Sequence, residues 1–281
     1  MPASPGKRQD WILWARRNID SVLVVFDLDG TLVDERLRTR KSDLEAVAEL
    51  RRRGARVTLA TGRTYNSAQA YVSRFEIDVP IILCNGAIIM DTPRQSVLYE
   101  RRIPADLAMV VLKQSKRLRL EPLIYTDGVN GHPCVGYLTP ALRDFLLLEG
   151  LHRAEIDVLE QRVKRDPPVK IQVIGETRTL RLLQEAVLAS DPEFPIVMSQ
   201  DDYLEIAPPG ASKGQALRKL CRMINVPLAH TLAFGDGRND EQMLVLAGFG
   251  VAMANAPEEL RRTADLSTSS VASALKLLLL T

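Results

Sequence analysis

Aromatic residues are scarce in this 281-residue chain, at 5%, and cysteines number only three. Cys84, Cys134 and Cys221 stand far apart and form no CxxC pair. That spacing argues against a disulfide framework and a structural zinc site, and it fits a reducing compartment. Charge excess of either sign is missing too: 37 Lys+Arg face 35 Asp+Glu, a net charge of +2. So balanced a chain is not built around a polyanion, and nucleic acid is not an expected partner. No apolar run approaches the ~18 residues that would cross a membrane, so none is expected as a partner. The apolar stretch from Trp11 to Ala15 is closed by Arg16 and Arg17 and is too short for a signal-peptide core. The cytoplasm is the expected location.

What is present is ordinary globular composition, 46% hydrophobic and 26% charged, which excludes disorder as the dominant state. At roughly 150 residues per domain the length predicts two domains, or one with a large insertion. Strand and helix patterns alternate at both ends of the chain, the mark of a parallel α/β sheet. The run Ser21 to Phe26 (SVLVVF) reads as a strand buried on both faces. Ser42 and Glu45 read as a capping box before a helix whose stripe is Leu44, Val47 and Leu50, ended by Gly54. Strands follow at Arg56 to Ala60 and Pro80 to Cys84, with a helix from Tyr65 to Phe75 between them.

In the middle the pattern changes. Short strands (Val97 to Arg101, Val169 to Ile174, Pro195 to Met198) surround longer helices (Pro104 to Leu118, Thr139 to Leu148, Thr177 to Ala189). The first pattern then resumes with Thr231 to Phe234, a helix to about Ala247, Gly250 to Ala252 and a last helix in which Leu277 to Leu280 read as a buried face. The expected division is a leader at 1–19, a core made of 20–86 and 206–281, and an inserted cap at 87–205. The leader, with Trp11 and Trp14, could cover the core or be flexible.

Four polar segments follow strands or turns, and in an open α/β sheet the ligand crevice lies beyond the carboxyl ends of the strands. The first is Asp27-Leu28-Asp29-Gly30-Thr31. While strand geometry persists, Asp27 and Asp29 share one face. At about 6–7 Å two carboxylates repel by roughly 2–3 kcal/mol, unless a cation joins them or one is protonated. An EF-hand is excluded, because its glycine would fall on Leu32 and its bidentate glutamate on Arg38. The second segment, Ala60-Thr61-Gly62-Arg63, offers a hydroxyl and amide groups before a helix, either an anion site or a plain cap.

The third, Gly210-Ala211-Ser212-Lys213-Gly214, matches the GxSxG pattern of serine hydrolases. That reading fails: Pro208-Pro209 stand where a strand should lead in, and no acid lies between Ser212 and His230. Ser212 reads instead as an N-cap, with Gln215 completing a capping box. Lys213 then sits in a first helical turn, where the macrodipole disfavours a cation; either it points at an anion or it is solvated. The fourth, Gly235-Asp236-Gly237-Arg238-Asn239-Asp240, sets two acids and an amide after a buried strand, a set suited to a hard divalent cation.

Together, FDLDGTL, LATGR, SKG before a helix and GDGRND resemble the four motifs of the haloacid dehalogenase phosphohydrolase superfamily. Asn85-Gly86-Ala87 and the segment Val251 to Ala256, with Asn255, are similar to its Cof-type branch, whose large cap lies between the second and third motifs. The resemblance implies an α/β fold, a Rossmann-like parallel-sheet core with an inserted α+β cap domain. It implies a Mg²⁺-dependent phosphatase acting on a small phosphorylated metabolite, sugar phosphates above all, through an aspartyl-phosphate. Asp27 would be the nucleophile and Asp29 the general acid/base. Leu28, Thr61, Gly62, Lys213 and Asn239 would hold the phosphoryl group, and Asp27, Asp29, Asp236 and Asp240 the metal. A phosphomutase of the same superfamily and a non-catalytic metabolite sensor are the alternatives. Within the cap, Tyr125, Asp127, His132 and Arg143 are polar groups expected to be structural, and Lys113, Lys116, Arg117 and Arg119 a solvated face.

Overall fold

The computed structural model describes residues 5–34, 36–191, 194–200 and 202–280. The chain opens with α1 (Pro5–Arg17), β1 (Leu23–Phe26), α2 (Lys41–Arg52), β2 (Arg56–Leu59) and α3 (Tyr65–Arg74). Next come β3 (Ile81–Leu83), β4 (Ile88–Asp91) and β5 (Ser96–Glu100). The middle runs α4 (Ala105–Arg117), β6 (Pro122–Tyr125), β7 (Cys134–Val135), α5 (Pro140–Leu148), β8 (Glu155–Ile156) and α6 (Leu159–Arg165). It continues through β9 (Lys170–Ile174), α7 (Thr177–Leu188), β10 (Ile196–Gln200) and β11 (Tyr203–Ile206). The last stretch is α8 (Lys213–Met223), β12 (Thr231–Gly235), α9 (Glu241–Leu246), β13 (Phe249–Met253), α10 (Glu258–Thr263), β14 (Leu266–Thr268) and α11 (Val271–Leu275).

Two compact units result. One takes in residues 1–62, 70–98 and 212–281, the other 63–69 and 99–211. The first holds a five-stranded sheet in the order β14-β13-β12-β1-β2, every pairing parallel. Val24 sits at its centre, in register with Leu232 on one side and Val57 on the other. All four residues of β1 are buried, as a strand covered on both faces requires. Phe26 and Phe234 stack at 4.9 Å across the pair. β3 continues this sheet through one parallel bridge, Ala60 to Ile82, and turns back into the antiparallel β4 and β5. The hairpin therefore belongs with the core unit as far as residue 98.

The second unit carries a six-stranded sheet, β10-β11-β9-β6-β7-β8, antiparallel except where β7 meets β8. Val111, Val163, Ile171, Val173, Leu180 and Leu183 fill its core between that sheet and α4, α6 and α7. The fold is thus α/β, with a parallel core sheet and an inserted mixed region. Among the described residues, no helix is long and apolar enough to cross a membrane.

Three local expectations need correction. Ser42 does not cap α2; Arg40 occupies that position without a side-chain bond. The neighbouring Asp43 points elsewhere, its Oδ1 accepting from the Ala272 amide at 2.8 Å and the Ser270 hydroxyl at 3.3 Å. It therefore supplements, over a long range, the cap that Ser270 gives α11. At the far end, Lys276–Leu280 form a π-turn in which Leu278 and Leu279 are buried while Leu277 is exposed. Consecutive residues of a helix are rotated around its axis, so four leucines in a row cannot share one face. The expected Ser212–Gln215 capping box is half present: Ser212 Oγ accepts from the Gln215 amide at 3.1 Å, while its hydroxyl proton goes to Gln242, and the return bond from the Gln215 side chain is not formed.

The leader forms α1 against the core. Trp11 donates to the Ala229 carbonyl at 2.8 Å, Trp14 stacks on His230, and Ala15 is fully buried. In the second unit Asp127 accepts from the Val129 and Asn130 amides, shaping its own turn. Tyr125 is buried under Lys170 and Arg143 is exposed. His132 keeps a buried Nδ1 without a hydrogen bond. Lys113, Lys116, Arg117 and Arg119 all face solvent.

Candidate active site

β1 ends at Phe26 and β12 at Gly235, side by side. The residues that leave these two strands, Asp27 and Asp236, therefore emerge together, and Asp27 stays tied to the sheet through its amide to the Phe234 carbonyl at 2.9 Å. Asp27, Asp236 and Asp240 bring carboxylate oxygens within 4.8 Å of one another. Lys213 reaches between them from the first turn of α8. Its Nζ lies 2.6 Å from Asp27 Oδ1 and 2.7 Å from Asp240 Oδ1, with 1% of the residue exposed. The lysine is buried and doubly paired, so the solvated alternative is excluded. Two carboxylates explain why a cation sits where the macrodipole opposes it.

Asp240 has both oxygens engaged: Oδ2 accepts from the amides of Asp236 and Gly237 at 3.0 and 2.9 Å. It closes the loop after β12 and holds Lys213. Asp236 accepts from Thr31 Oγ at 3.2 Å and from Asn255 Nδ2 at 2.8 Å. Asn255 also donates to the Gly30 carbonyl at 3.2 Å, joining the turn after β1 to that after β13. Gly30 itself adopts φ +81° and lies so close to the Asp236 carboxylate that a Cβ would collide with it. Sequence reasoning gave Thr31 and Asn255 no role, although both lie in the quoted motifs. Thr31 reaches Asp236 across 205 residues and Asn255 reaches Gly30 across 225, and no local spacing signals these bonds.

Burial drives the Asp27 carboxyl well above the usual carboxylate range; Asp240 adds to this, and Lys213 opposes it. Asp236 is raised for the same leading reason, with Asp240 second. Against desolvation, the two carboxylates hold Lys213 firmly in its charged form. Asp27 and Asp236 bring carboxylate oxygens within 4.8 Å, a closeness that a proton or a cation between them relieves. An all-oxygen donor set of this kind fits Mg²⁺.

Strand geometry stops at Phe26, so Asp27 and Asp29 do not alternate on a pleated strand. Asp29 instead bridges to Val33 in a tight loop, and its half-buried carboxylate is outside the converging three. Leu28 is fully buried, with its carbonyl accepting from Thr31, Leu32 and Val33. Thr61 is buried at the end of β2, its amide bonded to Ile82, and Gly62 follows half-buried. Asn239 donates to Asn85 Oδ1 at 3.0 Å.

The chain matches the sequence pattern of haloacid dehalogenase-like hydrolases over residues 24–274. It is 32% identical over 244 residues to the HMP-PP phosphatase of Escherichia coli K12, covering 85% of this chain and 86% of that protein. A haloacid dehalogenase-like hydrolase from Bacteroides thetaiotaomicron superposes with a TM-score of 0.80 at 26% identity, covering 91% of this chain and 98% of the other. TM0651 from Thermotoga maritima gives 0.78 at 26% identity, covering 91% and 97%. With the buried carboxylates and their lysine at the carboxyl ends of a parallel sheet, this chain belongs to the haloacid dehalogenase-like hydrolases and is a phosphatase of that family.

Proposed function

We propose that the protein is a Mg²⁺-dependent phosphatase that hydrolyses phosphate monoesters of small metabolites, sugar phosphates foremost, through a phosphorylated Asp27. The observation that carries this reading is the buried Asp27 carboxylate, 2.6 Å from Lys213 Nζ and converging with Asp236 and Asp240 to within 4.8 Å. A carboxylate can take a phosphoryl group as an acyl phosphate, dividing hydrolysis into two easier steps. Asp27 attacks phosphorus, the bond to the ester oxygen breaks, and Asp29 gives that oxygen its proton. Asp29 then takes a proton from water, which attacks the acyl phosphate and releases inorganic phosphate.

Phosphoryl transfer is mostly positioning and electrostatics. Lys213, Asn239, Thr61, the Gly62 amide and the Leu28 backbone are the groups to hold the phosphoryl oxygens. Asp27, Asp29 and Asp236 would hold Mg²⁺, with Asp240 supporting, and the ion when bound would neutralise charge on the transferring group. Lys213 opposes the upward pull of burial on the Asp27 carboxyl.

The phosphatase relative favours transfer to water over a phosphomutase. A sensor has no need to keep Asp27 and Asp29 together. The test is release of inorganic phosphate from a panel of phosphorylated metabolites, hexose phosphates and HMP-PP included, with and without Mg²⁺ and beside Asp27→Asn. Mg²⁺-dependent release that the variant abolishes is expected. Full activity in the variant, or binding of a metabolite with no turnover by the wild type, overturns the reading; isomerisation faster than release points to the mutase.

A further inference from the structure

The turn that follows β3 contains three successive left-handed residues: Cys84 at φ 50°, Asn85 at φ 53° and Gly86 at φ 95°. Two of them carry side chains, so the backbone runs against its steric preference and persists only where contacts over-determine it. Those contacts reach three of the four polar segments. The Asn85 amide donates to the Thr61 carbonyl at 3.0 Å. A Cβ on Gly86 would collide with the carbonyl of Ser212, the residue before Lys213. The Asn85 side chain, through Oδ1, accepts from Asn239 Nδ2 at 3.0 Å, across 154 residues of sequence.

We infer that Asn85 is a positioning residue for the phosphoryl-binding groups and acts through Asn239. An amide nitrogen carries two hydrogens. With one given to Asn85, the plane of the Asn239 amide is fixed, and its second hydrogen is a preorganised donor for a phosphoryl oxygen. Asparagine suits both demands: it tolerates the left-handed conformation and supplies the acceptor. This rests on the proposed phosphatase reading and extends it to a residue outside the four motifs.

The experiment is calorimetric titration of inorganic phosphate into the Mg²⁺-loaded full chain. The proteins compared are wild type, Asn85→Gly, Asn239→Ala and the double variant. Glycine keeps the turn and removes the acceptor for Asn239. Asn85→Gly is expected to weaken phosphate binding about five- to tenfold, the worth of one hydrogen bond, with Mg²⁺ affinity and Tm near wild type. In the Asn239→Ala background the same change should add little, because the two act as one unit. Phosphate affinity unchanged in Asn85→Gly, or losses that multiply in the double variant, overturns the inference. Asn85→Ser, too short to reach Asn239, carries the same outcomes if the glycine variant does not fold. A wild type that neither binds phosphate nor hydrolyses any ester overturns the phosphatase reading itself, a result distinct from loss of the Asn85 role alone.

Discussion

Lys213→Met exchanges a buried cation for an apolar side chain of similar length. In the folded protein the lysine is 1% exposed and makes ion pairs of 2.6 and 2.7 Å with Asp27 and Asp240. Removing one partner of a buried pair leaves an uncompensated charge and costs about 3–5 kcal/mol. At about 2–4 °C per kcal/mol for a chain segment of 150–250 residues, Tm should fall by about 6–20 °C. The loss depends on pH with a definite sign. The Lys213 pKa is raised above its unfolded value, so its contribution is fully present below the unfolded value of 10.5 and constant between about pH 5 and pH 8. Asp27, already raised by burial, rises further without its cation and takes up a proton in acid, relieving the unpaired charge. The Tm loss in metal-free protein should therefore be larger near pH 8 than near pH 5, and saturating Mg²⁺ should recover part of it. Thermal unfolding followed by circular dichroism at both pH values, with and without Mg²⁺, reads all of this. A loss of under about 2 °C, or one identical at both pH values, refutes the electrostatic account of Lys213.

Three further outcomes follow from the same geometry. Asp27 and Asp236 hold protons in the metal-free fold that the unfolded chain would release. Metal-free stability should accordingly fall as pH rises from about 4 through the raised values, and Mg²⁺ binding should release protons; calorimetry giving one enthalpy in buffers of different ionisation heat would sink this. Asn255→Ala removes a donor from Asp236 and should weaken Mg²⁺ binding about 10–100-fold, read by titration at equilibrium, with an unchanged affinity counting against it. Asp43→Ala removes the acceptor for the Ala272 amide and the Ser270 hydroxyl and should cost about 1–2 kcal/mol of stability in urea unfolding while kcat holds; a fall in kcat at unchanged stability would contradict a purely structural role.

Much of the core was legible because parallel sheets write themselves plainly. β1 is a continuous apolar run, and each polar segment follows the end of a strand or the turn into a helix, so chain order alone brings distant segments to one edge. What stayed hidden depends on pairings that local sequence does not encode. Ser42 and Glu45 have the spacing of a capping box, yet Asp43 beside them serves a helix more than two hundred residues away. A shared face for Asp27 and Asp29 needs the pleat to continue past Phe26, where the strand ends. The bond from Asn239 to Asn85 has no local period, and only the left-handed tolerance of asparagine marks that position.

The central seam of the core sheet sets an order of assembly. β1 pairs with β12, yet the residues between them include nearly all of the second unit. During synthesis β1 can find β2 early, but its other edge has no native partner until residue 235 has emerged. At roughly 5–20 residues per second that wait is about 10–40 s. The inserted unit can complete its sheet first, because its strands all lie within residues 99–211. Protease protection in arrested nascent chains should therefore appear in the insertion before the host. Until the seam closes, an apolar edge of β1 stays open to wrong partners, so the inserted domain lengthens the interval in which the catalytic unit is most exposed to misassembly.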